Sequence, residues 1–113
     1  MLTIEKLREF GADVDDGLKR CVNNEQFYLT LVNTALKEES YTAVESAVES
    51  HDLTAAFEAA HALKGVLTNL ALTPIAKPVI EMTELLRSRT DTDYSPYLKE
   101  IRKKKNELDE LAK

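Results

Sequence analysis

Glycine and proline are scarce, three of each in the whole chain, and so little turn chemistry argues against an all-β fold. Cysteine is scarcer still. Cys21 stands alone, so no intramolecular disulfide and no Cys-rich metal site can form, and it reads as a half-buried structural thiol in a reducing compartment. No stretch approaches the roughly 18 uninterrupted apolar residues of a membrane span. The opening residues Met1-Leu2-Thr3-Ile4-Glu5-Lys6 lack the basic-then-apolar order of a signal peptide, so the expected location is the cytoplasm. Positive charge is also in deficit. Fifteen Lys and Arg stand against 20 Asp and Glu, a net charge of −5, and such a surface repels nucleic acid and anionic membrane. The local exception, Arg102-Lys103-Lys104-Lys105, is followed at once by Glu107, Asp109 and Glu110 and reads as a solvated helix face.

What the chain does contain is helical pattern. Its 113 residues suit a single domain spanning 1–113, and no repeat or Gly/Ser linker divides it. The spacing predicts a short helix from Thr3 to Phe10, stopped by Gly11, and a second short piece over 14–22 capped by Asp13. Asn24 caps a third helix in which Tyr28, Leu31, Val32, Ala35 and Leu36 recur at helical steps to about residue 39. A shorter helix covers 41–50. The central helix runs from about Leu53 to Leu72. Thr73-Pro74 then gives a cap and a first-turn proline for a helix reaching about Ser88, with Pro78 expected to weaken or bend its first turn. After a polar loop over 90–94, Ser95-Pro96 repeats the signal for a final helix to the C-terminus. Four helices of three or more turns joined by short loops predict an all-α, antiparallel up-and-down four-helix bundle with short additional N-terminal helices.

The central helix carries two stripes. Leu53, Ala56, Ala60, Leu63, Leu67 and Leu70 step by three and four residues, a seam that faces a bundle core. At about 100° per residue, His61 points roughly 130° away from that seam. It shares a second stripe with Phe57, Lys64, Gly65, Thr68 and Leu72. Phosphoryl transfer gives each of these a reason to be there. A neutral imidazole is a competent nitrogen nucleophile near pH 7, and the N-phosphohistidine it forms carries about two negative charges. Lys64, one turn on, sets an ammonium against them. Gly65, at i+4, leaves the helix bare for a partner's approach, although a mid-helix glycine costs about 1 kcal/mol relative to alanine. Thr68 offers a hydroxyl or a small surface, and Phe57 and Leu72 an apolar docking rim. His51, beside Asp52 at a helix junction, reads as a turn residue. A metal site is not expected, since His51 and His61 have no two further ligands at binding spacing.

The stretch Phe57-Glu58-Ala59-Ala60-His61-Ala62-Leu63-Lys64-Gly65, continuing to Asn69-Leu70, resembles the AHxLKG and NLG signature of the histidine-containing phosphotransfer (HPt) domains of two-component phosphorelays. Upstream, Gly17-Leu18-Lys19-Arg20 and Phe27-Tyr28-Leu29 are similar to the helix pair before the phosphohistidine helix, and Asp52-Leu53 to that helix's start. The likeness covers most of residues 14–89. It implies a four-helix bundle with the phosphohistidine exposed mid-helix, His61 as phosphoacceptor, Lys64 as phosphate contact and Gly65 as close-approach position. It also implies a phosphocarrier rather than an enzyme. A receiver domain of a hybrid sensor histidine kinase donates to it, and a second response-regulator receiver accepts from it. The chain needs no cofactor of its own, because the partner receiver supplies Mg²⁺. A monomer is the family expectation. Val66 and Leu67 stand where small polar residues are usual, and Ala71 where a second glycine is common.

Three rival readings fit the chain less well. In the phosphoacceptor helix of a sensor histidine kinase an acidic residue follows the histidine and a proline comes soon after; here Ala62 follows and no proline precedes Pro74. A histidine domain excised from a chemotaxis-type or hybrid kinase would belong to a longer polypeptide, and the start at Met1 without a kinase favours a free-standing carrier. A non-phosphorylated helical adaptor has no need of His61, Lys64 and Gly65 together.

Overall fold

Four side chains start four of the helices in the same way. The Thr3 hydroxyl and the side-chain oxygens of Asp13, Asn24 and Asp52 accept from the backbone N–H groups of Lys6, Asp16, Phe27 and Ala55 at 3.0–3.2 Å. Each satisfies a donor that the first turn leaves without an intrahelical partner. The computed structural model describes residues 1–113 as seven helices: α1 Ile4–Phe10, α2 Val14–Arg20, α3 Glu25–Ala35, α4 Ser40–Glu49, α5 Leu53–Asn69, α6 Thr73–Arg87 and α7 Ser95–Ala112.

The proline-marked starts differ from the sequence reading. Thr73 and Ser95 are the first helical residues, not caps; the cap positions are Leu72 and Tyr94, and neither supplies a side-chain hydrogen bond. The Thr73 hydroxyl instead leans back toward the Ala71 carbonyl at 3.4 Å, and the Asp93 carboxylate accepts from the Ser95 N–H at 2.9 Å. Pro74 and Pro96 do sit in the first turn, where a missing N–H breaks no ladder bond. Pro78 lies inside α6 and is buried.

Short connections force α4, α5, α6 and α7 to run antiparallel to their neighbours, and α7 closes the bundle against α4. Arg102 of α7 pairs with Glu45 of α4, and the Lys105 ammonium rides 5.3 Å above the Tyr41 ring while pairing with Asp109 at 2.9 Å. The basic run of α7 is thus largely neutralised by its own surroundings. The fourth member of the bundle is the ten-residue α4. The eleven-residue α3 lies outside it, with α1 and α2.

The seam read on the central helix is the core. Ala56, Ala60, Leu63, Leu67 and Leu70 are buried, against Val44, Ile75, Val79, Met82, Leu86, Ile101 and Leu108 from the other bundle helices. Cys21, expected to be half-buried, is fully enclosed. Tyr28 of α3 ties the outer helices to this core. Its hydroxyl donates to the Leu70 carbonyl at 2.8 Å, and burial, helped by the negative charge of Asp13 and Asp16 nearby, pushes it up to about 12. Gly17 makes the fit possible, since a Cβ there would stand 2.6 Å from the Tyr28 ring and hydroxyl.

α5 ends three residues sooner than the pattern suggests. Ala71 has φ +57, its N–H bonds to the Thr68 carbonyl and the Leu72 N–H to the Leu67 carbonyl. That pair of bonds is a Schellman turn, usually built on glycine. The turn swings Leu72 off the helical stripe and into the core, where it is 1% exposed.

Candidate functional site

His61 stands midway along α5 on the flank opposite the core seam, exposed to solvent. Its side chain enters none of the hydrogen bonds or ion pairs of the structure, so no carboxylate holds it. Its one specific neighbour is Phe57, a turn earlier on the same helix. The two ring centroids lie 5.7 Å apart with the planes inclined by 21°, an offset stack of the kind aromatic rings prefer.

Lys64 is half-buried along its stem, and its ammonium pairs with no acidic side chain. One turn from His61, it is a free positive charge on the same flank. Gly65 is exposed, and a Cβ built on it would meet nothing within 4 Å. Close helix packing is therefore not its reason. Gly65 instead borders an open groove of about 600 Å³ between α3 and α5, which also takes in Leu31, Ala35, Ala62 and Leu70.

Of the last two members of the predicted stripe, Thr68 keeps the surface small and Leu72 leaves it. The Thr68 hydroxyl donates to the Lys64 carbonyl at 2.8 Å, the i−4 back-bond common to helical threonine, so it is turned inward and leaves only a small surface. Leu72 is no part of a docking rim. The stripe assumed a helix continuing to residue 72, and the left-handed turn at Ala71 buries the side chain instead.

Sequence reasoning missed two arginines. The guanidinium carbons of Arg87 and Arg89, at the C-terminal end of α6, lie 5.2 and 5.5 Å from the Phe57 ring centroid, within cation–π range. Arg89 is fixed there by a bond from Nη1 to the Leu86 carbonyl at 2.8 Å. Phe57 is thus a half-buried ring with an imidazole stacked on it and two guanidinium groups within cation–π reach. Only the three-dimensional meeting of α5 and α6 shows this, because residues 57 and 87 are too far apart in sequence for a periodicity to link them. His51, at φ +56, is the left-handed residue that ends α4.

A family model for the Hpt domain matches residues 29–112. The chain belongs to the Hpt family. The match takes in α4 to α7 and most of α3, so the four-helix bundle and the helix bearing His61 are both inside it. It runs past residue 89 to the end of α7, while the likeness noted at Gly17–Arg20 lies outside it. No curated protein and no solved structure matches the chain. Hpt domains are phosphocarriers in two-component phosphorelays, exchanging phosphoryl groups with receiver domains through a histidine. No helix of this Hpt domain is long and apolar enough to cross a membrane.

Proposed function

We propose that His61 is the phosphoacceptor of this Hpt domain. On this reading the domain is a phosphorelay intermediate between a hybrid sensor histidine kinase and a response regulator. The observation that carries the reading is the state of the imidazole. It is solvent-exposed, free of any hydrogen bond or carboxylate, and beside an unpaired ammonium and a stretch of helix without side chain.

The chemistry follows from those groups. The lone pair of the unprotonated ring nitrogen attacks the phosphorus of an aspartyl phosphate on the donor receiver. The N–P bond forms as the P–O bond to the aspartyl carboxyl breaks, the aspartate leaves as a carboxylate, and the proton on the other ring nitrogen stays with the imidazole. The reverse step delivers the group to the aspartate of a second receiver. Lys64 opposes the charge on the phosphoryl oxygens, Gly65 lets the partner's active site come close, and Phe57 and Thr68 belong to the surface around the ring. The receiver contributes the Mg²⁺ that shields the phosphoryl group and most of the catalytic groups. The chain acts as a monomer in the cytoplasm, where its partners' receiver domains reside.

Incubation with a receiver labelled on its aspartyl phosphate tests this. The expected result is acid-labile, base-stable label on the wild type and none on His61→Gln, whose helical circular dichroism and melting are unchanged. Equal label on both would move the acceptor elsewhere.

A further inference from the structure

An exposed imidazole on a helix flank ordinarily samples several rotamers, two wells about χ1, the third being blocked by the preceding turn, and two broad ones about χ2. Here one choice is favoured. The His61 ring stacks on Phe57, and Phe57 is itself held. Its lower part packs against the core, and the guanidinium groups of Arg87 and Arg89 lie over its ring. Arg89 is anchored in turn to the last carbonyls of α6, and Arg87 approaches Glu84 at 3.6 Å. A line of contacts runs from the end of α6, through an aromatic ring, to the imidazole.

We propose that Phe57 is a positioning residue for His61: braced by Arg87 and Arg89, its flat face holds the imidazole in one orientation toward an approaching receiver. This rests on the reading of His61 as phosphoacceptor. In-line attack needs the ring nitrogen about 3 Å from phosphorus with its lone pair aligned, so the rate scales with the fraction of time the ring spends in the competent rotamer. Confining four rotamer combinations to one raises that fraction by up to about fourfold. A flat π-face is required for both neighbours, since imidazole stacking and guanidinium binding use the ring's quadrupole. Leucine at position 57 keeps the apolar contact with the core and removes that face. Tyrosine keeps both.

The test compares full-length wild type, Phe57→Leu and Phe57→Tyr in single-turnover transfer from a phosphorylated receiver over a range of receiver concentrations. Side-chain NMR of His61 is recorded alongside. The expected result is a saturating rate about two- to fourfold lower for Phe57→Leu, with the half-saturating receiver concentration unchanged from wild type. The His61 couplings in that variant become averaged over rotamers. Phe57→Tyr restores both rate and couplings. A Phe57→Leu protein that transfers at the wild-type rate overturns the proposal, and so does an equal loss in the leucine and tyrosine variants, which marks simple packing. Should Phe57→Leu fail to fold, the wild type decides alone, because rotamer-averaged couplings at His61 overturn the idea without any variant. A wild type that takes up no phosphoryl group sinks the acceptor reading itself, whereas normal uptake with an indifferent Phe57 sinks only the positioning role.

Discussion

Tyr28 reaches across 42 positions of sequence to donate a hydrogen bond to the carbonyl of Leu70, the residue that closes the helix carrying His61. The Asp13 N–H bonds to the neighbouring Ala71 carbonyl at 3.0 Å. The outer helices therefore fasten the far end of α5, and Asp52 caps its near end. The flank between those two fastenings is where His61, Lys64 and Gly65 stand.

Because burial raises the Tyr28 pKa to about 12, the fold favours its protonated form. That contribution is fully present below the ordinary tyrosine pKa of about 10 and is lost as pH rises through about 12. Tyr41, also raised by burial and by Asp109 and Glu38, acts in the same direction. Chemical denaturation between pH 7 and 11 should show stability falling above pH 10. Tyr28→Phe should be less stable at pH 7 by about 1–3 kcal/mol, the cost of an unpaired buried carbonyl, with a shallower alkaline decline. An identical pH slope in both proteins would remove Tyr28 from the account.

Val22 and Ala71 both adopt the left-handed conformation, at φ +50 and +57, which costs a side-chain-bearing residue roughly 1–2 kcal/mol. Val22 is 82% exposed, so its side chain returns little by packing, whereas Ala71 is buried. Val22→Gly should therefore raise stability by about 1 kcal/mol after the entropy of a glycine in the unfolded chain is deducted. Ala71→Gly, which also gives up a buried methyl, should gain distinctly less. Thermal melts of the two variants check the order.

Gly65→Ala should separate stability from transfer. Nothing in the protein obstructs the added methyl, and alanine is favoured over mid-helix glycine by about 1 kcal/mol. The variant should melt a few degrees higher yet bind and exchange phosphoryl groups with a receiver more weakly. Titration calorimetry with a receiver, beside a melting curve, reads both. Faster or unchanged transfer would show that the bare patch is not a contact surface.

Lys64→Ala should shorten the lifetime of the phosphorylated domain or slow its formation about fivefold, the effect of roughly 1 kcal/mol from a unit charge some 5 Å away in a largely aqueous setting. Added salt should narrow the difference from wild type, because an exposed charge is screened. A Lys64→Ala protein with wild-type kinetics at low salt would dismiss the electrostatic role.

Much of this was legible in the chain because its signals are local. Asp13 and Asn24 announce their helices through a side chain that needs only three residues to act, and the Leu63 and Leu67 seam is fixed by 3.6-residue geometry. What stayed hidden depends on exceptions or on distance. The spacing carries α5 onward to Leu72 because Ala71 performs a turn usually marked by glycine, and that turn takes Leu72 into the core instead. The spacing extends α3 to about residue 39 although it stops at Ala35, with neither glycine nor proline there to mark the stop. The arginines over Phe57 depend on how α5 and α6 meet, which no window along the chain contains.

The imidazole stands on one flank of the bundle, with its helix behind it and the Phe57 ring stacked against it. With His61 as the proposed phosphoacceptor, donor and recipient would use the same doorstep, the second arriving only when the first has gone. Such a relay works by taking turns, never by bridging two partners at once, and excess of either partner should slow it by occupying the entrance.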